Sequence, residues 1–342
     1  MSWFIYLLIA LLPMIATFVS TWLLISLLRK YNIFDQPNIR SSHKIPTPRG
    51  GGITVVLILL ATWCSLYISG HAFTKDYDSW IVFIGAIALA SLSWIDDLRG
   101  GIPAIGRLFF HFSASTVVLV FLPADALVFH GSIPLWADRL ITICMWVWFI
   151  NLFNFMDGID GISGTKTITI SLGFLIISFF SEAVITIALP GLALASVAFG
   201  FLIWNWQPAK IFLGDVGSVT LGYLIGYLLI NLAIIGHWDA ALLLSAYYIF
   251  DSTFTLIKRV CRGEKPWKAH REHAYQIAVR NGKGHARVSF LIGVLGIILG
   301  ILAIIGIEGG IWRWITLGIG LLIVLVFMWY LQIKPKPKVN SV

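Results

Sequence analysis

Val288-Ser289-Phe290-Leu291-Ile292-Gly293-Val294-Leu295-Gly296-Ile297-Ile298-Leu299-Gly300-Ile301-Leu302-Ala303-Ile304-Ile305-Gly306-Ile307 is twenty residues with no charge. A helix of that length rises about 30 Å, the thickness of a bilayer's hydrocarbon core. Working outward from it, ten further apolar runs predict spanning helices. The full set is Trp3–Leu28, Gly52–Ser69, Ser79–Ile95, Ile105–Leu122, Leu140–Phe155, Ile162–Phe180, Ala183–Trp204, Val216–Ile235, Ala240–Ile257, Val288–Ile307 and Trp312–Ile333. The composition agrees: 58% of the 342 residues are hydrophobic and 12% charged, with mean hydropathy +0.89. Soluble domains carry about 25% charged residues. The fold class predicted is an all-α polytopic membrane protein, read as one domain over residues 1–342.

The first run is read as a permanent span. It lacks a basic leading segment, is too apolar and long, and no small-residue cleavage site follows it. The break at Ser181-Glu182 is read as a tight external turn, because a carboxylate inside the bilayer is costly. Cys64, Cys144 and Cys261 suggest no disulfide framework. No internal repeat is visible.

The net charge of +8 is distributed by side. With the 29–51 loop placed in the cytoplasm, the outer loops keep only Lys75, Arg139 and Arg313 of the 24 Lys and Arg residues. This bias puts the N-terminus outside and the C-terminus inside. It also removes nucleic acid as the reason for the basic balance. The tail at residues 334–342, with Lys334, Lys336 and Lys338, reads as a basic segment beside the bilayer, either touching anionic headgroups or simply solvated. Seven acids fall outside (Asp76, Asp78, Asp125, Asp138, Glu182, Asp239 and Glu308) and read as ordinary loop residues. Asp251 falls within the ninth run.

Five of the remaining acids lie in short patterned segments on the inner side. Asp96-Asp97 closes the third run; two adjacent carboxylates suit a hard divalent cation, or are solvated loop acids. Asn151-Leu152-Phe153-Asn154-Phe155-Met156-Asp157-Gly158-Ile159-Asp160-Gly161 brings two amides, three residues apart on a helix face, and two acids to the membrane surface. Its glycines stop the helix and let backbone approach a ligand. Gly214-Asp215-Val216-Gly217-Ser218 sets an acid at a helix start, as a cap or as a metal ligand bridging to phosphate. His270-Arg271-Glu272-His273 offers two imidazoles on one helical face; without a second Cys or His pair, contacts to phosphate or sugar fit better than zinc. The loop from Asp35 to Gly52 is basic and Gly-rich, reading either as a phosphate cradle or as a positive-inside anchor.

Taken together, the Asp96-Asp97 pair, Asn151-x-x-Asn154-x-x-Asp157-Gly158-x-Asp160-Gly161, Gly214-Asp215-x-Gly217-Ser218 and His43-Lys44-x-Pro46-x-Pro48-x-Gly50-Gly51 resemble the polyprenyl-phosphate N-acetylhexosamine-1-phosphate transferase family. The resemblance runs in order from about Asp35 to His273. It implies transfer of an N-acetylaminosugar-1-phosphate from a UDP-sugar to undecaprenyl phosphate, with release of UMP, at the cytoplasmic face of a bacterial inner membrane. It implies Mg²⁺, with Mn²⁺ as a substitute, held by Asp215 and Asp97. It implies Asp96, Asp97, Asp157 and Asp160 as the catalytic carboxylates, and Lys44, Asn151, Asn154, His270, Arg271 and His273 as binders of nucleotide, diphosphate or sugar. The peptidoglycan-precursor branch carries consecutive histidines in the fourth region, and His270-Arg271-Glu272-His273 departs from that. The resemblance therefore points to the O-antigen and polysaccharide-initiating branch. A homodimer is compatible with the sequence but nothing demands it. The rival reading from another class is a multi-span transporter using Asp251 as an ion relay.

Overall fold

The computed structural model describes residues 3–37, 45–72, 79–99, 101–265, 267–268 and 270–334. Eleven long helices follow the eleven apolar runs: α1 (Trp3–Lys30), α2 (Gly52–Ile68), α3 (Ser79–Arg99), α4 (Ala104–Phe121), α5 (Leu135–Phe155), α6 (Ile162–Ile177), α7 (Ile185–Asn205), α8 (Gly214–Ile234), α9 (Trp238–Cys261), α11 (His285–Gly306) and α12 (Gly310–Gln332). Between α9 and α11 lies a short helix, α10 (Ala274–Arg280). Among the described residues nine helices are long and apolar enough to cross a membrane, and α2 and α6 are shorter apolar helices. Two short antiparallel strands, β1 (Phe34–Asp35) and β2 (Thr47–Pro48), pair in the α1–α2 connection. The tail residues 335–342 lie outside the described residues.

The predicted break near Glu182 is present: α6 stops at Ile177, a single 3-10 turn covers Glu182–Val184, and α7 starts at Ile185. Two outer acids behave differently from the expectation. Asp138 and Asp239 are helical and fully buried, not solvated loop residues. Asp138 accepts hydrogen bonds from Val128 and Phe129 N–H, while Arg139 donates to the carbonyls of Leu122, Pro123 and Ala126. These contacts fold the α4–α5 connection onto α5 and start α5 at Leu135, five residues before the predicted Leu140. Asp239 pairs with Arg313, 3.3 Å away. A buried carboxylate needs partners: Asp138 has two N–H donors, and Asp239 has the charge of Arg313.

α7 and α8 form the buried centre of the bundle, while α1, α4 and α12 expose broad apolar faces. Phe109, Val120, Leu322 and Trp329 are more than 60% exposed, the arrangement expected when lipid rather than water is the solvent. α8 packs on α3, α5 and α2. Its approach to α2 is set by two glycines: a Cβ on Gly52 would stand 2.2 Å from the Gly217 nitrogen. Small residues allow such backbone contact between membrane helices. α5, α8 and α9 enclose an apolar cavity of about 490 Å³, lined in part by Met145, Trp146, Phe149, Leu229, Leu242 and Ile249.

Candidate active site

Three carboxylates converge at one end of the bundle. Asp96 and Asp97 stand on the last turn of α3, which runs on through them instead of ending before a loop. Asp215 is the second residue of α8, and its side chain does not cap that helix. Two arginines lie between the acids. Arg49, just after β2, places one nitrogen (Nη2) 2.8 Å from Asp97 Oδ1 and 2.9 Å from Asp215 Oδ1. Arg107, on the first turn of α4, places Nη1 3.5 Å from both Asp96 Oδ2 and Asp215 Oδ2. Backbone fixes the acids as well. The Asp215 N–H donates to Asp97 Oδ2 at 3.2 Å, and the Ile102 N–H donates to Asp96 Oδ1. Gly214 makes the first of these contacts available: its φ is +74°, and a Cβ there would lie 3.0 Å from Asp97 Oδ2.

Arg49 reaches this cluster because the loop before α2 is sewn to the loop before α8. Phe212 N–H donates to Pro48 O at 2.8 Å, Gly50 and Gly51 N–H donate to Phe212 O, and Gly52 N–H donates to Leu213 O. The glycine triple is thus not a cradle of free amides for phosphate, because its three N–H groups already have carbonyl partners. Its work is close packing and the placement of Arg49. Lys44, in the same connection, lies outside the described residues.

The amide and acid segment after α5 divides in two. Asn154 donates to Ser218 Oγ at 2.8 Å, one turn beyond Asp215, so it belongs to the acid cluster. Asn151 contacts His111 on α4 at 3.3 Å, below Arg107 on the same helix face. Asp157 is half-buried; burial first, then the negative charges of Asp215 and Asp97, raise its pKa from 3.8 to about 7. Asp160 is engaged elsewhere. Its carboxylate accepts from the Ala209 N–H at 3.1 Å and lies 3.1 Å from His285 Nδ1, while Ser289 Oγ donates to its carbonyl. These partners tie the segment to α11 and to the loop before α8. The two glycines also differ from the expectation that they admit a ligand. A Cβ on Gly158 would stand 2.2 Å from the Tyr275 hydroxyl, and Gly161 N–H donates to the buried Asn205.

The histidine segment is held by buried charge. Asp251, fully buried in α9, accepts from Tyr247 Oη at 2.9 Å and from the Ala274 N–H at 2.8 Å. It therefore anchors the start of α10, and its oxygens are committed to chain partners instead of facing a pathway. Arg259 and Arg262 both pair with Glu264 and Glu272. His270 and His273 do not share a helix face: His273 is the N-cap of α10 and His270 precedes it in irregular chain. Their rings still lie 4.8 Å apart. Burial, then the neighbouring His273 and Arg259, lower the His270 pKa from 6.5 to about 4, so its ring is neutral at pH 7. Arg271 is half-buried beside them. Tyr275 joins this segment to the acid side by donating to Phe155 O at 2.9 Å.

The residues read from the sequence thus fall into three linked groups. Asp96, Asp97, Asp215, Asn154 and Asp157 form one, Asp160 a second, and His270, Arg271 and His273 a third. Arg49, Arg107 and His111 were not singled out. The visible signal for the α4 pair was an Arg and a His four residues apart at the start of an apolar run.

The model of Glycosyl transferase family 4 matches residues 79–233. The chain is 25% identical over 320 residues to the probable undecaprenyl-phosphate N-acetylglucosaminyl 1-phosphate transferase of Bacillus subtilis, covering 89% of this chain and 84% of that one. It is 26% identical over 317 residues to the decaprenyl-phosphate N-acetylglucosaminephosphotransferase of Mycolicibacterium smegmatis, covering 81% and 76%. It is also 26% identical over 284 residues to the phospho-N-acetylmuramoyl-pentapeptide-transferase of Kosmotoga olearia, covering 78% and 85%. Over these stretches the chain is similar to polyprenyl-phosphate hexosamine-1-phosphate transferases.

The family match spans α3 to α8, and so takes in the whole acid cluster except Arg49. It ends before the histidine segment. The donor set at Asp96, Asp97 and Asp215 is chemically suited to Mg²⁺, which prefers carboxylate oxygen. As the side chains stand, the space between these acids is filled by guanidinium nitrogens, and among the described residues no three acid, imidazole or thiol groups are spaced around one ion.

Proposed function

We propose that the protein transfers an N-acetylaminosugar-1-phosphate from a UDP-sugar to undecaprenyl phosphate, releasing UMP, and so initiates an envelope polysaccharide such as an O-antigen. The observation that carries this reading is the meeting of Asp96, Asp97 and Asp215 with Arg49 and Arg107 at one end of the bundle. Such a cluster offers acids for a divalent cation and guanidinium groups for phosphate within one small space. The relatives' names supply the polyprenyl phosphate and the amino sugar. The positive-inside bias supports the cytoplasmic face of a bacterial inner membrane as the place of reaction.

In this reading an oxygen of the lipid phosphate forms a bond to the sugar-bearing phosphorus, and the bond from that phosphorus to UMP breaks. Asp215 and Asp97 would hold Mg²⁺, which when bound would neutralise charge at the diphosphate. Arg49 and Arg107 bind phosphate oxygens bidentately and align them. Asn154 and Ser218 offer neutral donors one turn deeper. Asp157, with its raised pKa, holds or takes up a proton near neutral pH. His270, neutral at pH 7, is suited to hydrogen bonding with a sugar or phosphate rather than to charge pairing. Asp160 orders the surrounding loops. A two-step route, with one carboxylate attacking first, uses the same residues.

The test is UMP release by purified protein in detergent from a panel of UDP-sugars, with undecaprenyl phosphate and with or without Mg²⁺. Release that needs both lipid and metal, and falls by about 10³-fold or more in Asp215→Asn, is expected. Because one diphosphate linkage replaces another, labelled UMP should also exchange into the UDP-sugar. No release with any sugar overturns the reading.

A further inference from the structure

The acid cluster contains an asymmetry between its two kinds of charge. The carboxylates are held by backbone: Asp97 by the Asp215 N–H, and Asp96 by the Ile102 N–H. The side chains of Asp96 and Asp97 are 8% and 6% exposed. The arginine side chains are 34% and 40% exposed for Arg49 and Arg107. Among the described residues, the ion pairs of these two guanidinium groups are with the three acids. Each guanidinium uses a single nitrogen to bridge two acids, so the charges run Asp97, Arg49, Asp215, Arg107, Asp96 in a ladder. Asp96 and Asp97 are shielded and bound by backbone, Asp215 is 21% exposed, and the long arginine side chains are the more open to water.

We propose that Arg49 and Arg107 are exchangeable counter-ions: they close the acid cluster when it is empty, and they move to the donor's diphosphate when a divalent cation takes their place. This rests on the reading of the site as a diphosphate-cleaving centre. Three carboxylates crowded together without cations repel strongly, and a guanidinium between them relieves that repulsion. A divalent cation entering the cluster competes for the same oxygens. It binds weakly while the arginines stay. A diphosphate gives the displaced guanidinium groups new anionic partners with the paired oxygens that their planar shape favours. Metal and nucleotide therefore bind better together than apart, and the coupling is reciprocal. The consequence is an order of assembly. The cation is held firmly only after a diphosphate has arrived, so the empty site stays balanced instead of being permanently metal-loaded.

The experiment measures Mn²⁺ binding to the purified full-length protein in detergent, from the electron paramagnetic resonance signal of free Mn²⁺, without any reaction. Arg49→Met is compared with wild type, with Arg49→Lys as a charge-retaining control and a thermal melt for each. Without nucleotide, Arg49→Met should bind Mn²⁺ about two- to fivefold more tightly than wild type, the size expected when partly exposed ion pairs to Asp97 and Asp215 no longer compete. Arg49→Lys should stay close to wild type. Adding UDP should tighten Mn²⁺ binding to wild type by about tenfold, after correction for Mn²⁺ held by UDP in solution, and by much less in Arg49→Met. Asp215→Asn should weaken Mn²⁺ binding. Equal or weaker Mn²⁺ binding in Arg49→Met overturns the proposal; if that variant precipitates, Arg107→Met is read by the same criterion. Failure of UMP release with the Mn²⁺ coupling intact would instead sink the assigned reaction and leave the counter-ion exchange standing.

Discussion

Asp157 shows how position sets the chemistry of a single carboxyl. Burial and the nearby negative charges raise its pKa from 3.8 to about 7. The folded protein therefore holds this proton more tightly than the unfolded chain does. Stability from this group is full below pH 3.8, declines as the pH rises to about 7, and is level beyond that. An infrared difference spectrum between wild type and Asp157→Asn should show a protonated carboxyl band that vanishes with a midpoint near pH 7. A band already lost by about pH 5 would mean an ordinary, solvated acid. The sequence marked Asp157 through its spacing from Asn151 and Asn154, because a helical period is a local property. Arg49 and Arg107 were not marked, since their partners are set by how α2, α3, α4 and α8 pack. Nothing within either arginine's own segment announces an acid 166 residues away for Arg49 and 108 for Arg107.

Among the elements, the contact between α2 and α8 carries the most consequence. Gly52 and Gly217 touch through backbone, and the same two helices bring Arg49 and Asp215 together. Gly52→Ala would put a Cβ 2.4 Å from the Gly217 Cα, and neither backbone can yield cheaply. A loss of about 1–3 kcal/mol of stability is expected, as for other overpacked contacts. A thermal melt should show it, and UMP release should fall further than the melt alone explains, because the helices that carry the site are pushed apart. Unchanged melting would mean that the helices are not in contact there. The long helices were legible because a spanning run must be apolar throughout its length. α10 was not: it has seven residues, and the acid that anchors its start, Asp251, lies on α9, 23 residues earlier. The fully buried Asp138 and Asp239 looked like loop acids for the same reason, since their partners are supplied by other segments.

For the whole molecule, the bundle has apolar outer helices, a buried α7–α8 centre and one charged end. The distribution of Lys and Arg predicts that this end is the cytoplasmic one. In a cysteine-free background, Ser132→Cys should react with a membrane-impermeant maleimide on intact cells, and Lys268→Cys only after lysis. Both positions are exposed, so access decides the result. The reverse pattern would turn the molecule over and move the reaction to the other face.

The ion pair between Arg49 and Asp215 joins residues 166 positions apart. A ribosome adding about 5–20 residues per second needs roughly 10–30 s to travel that distance. During that interval Arg49 has been made but its final partner has not, and Asp96 and Asp97 wait at the bilayer edge in the same way. Their place at a helix end, in reach of water, makes the wait tolerable; the same charges halfway along α3 would oppose insertion. A nascent chain stopped after α7 would hold seven of its spans but not Asp215, so the acid cluster closes only when α8 arrives.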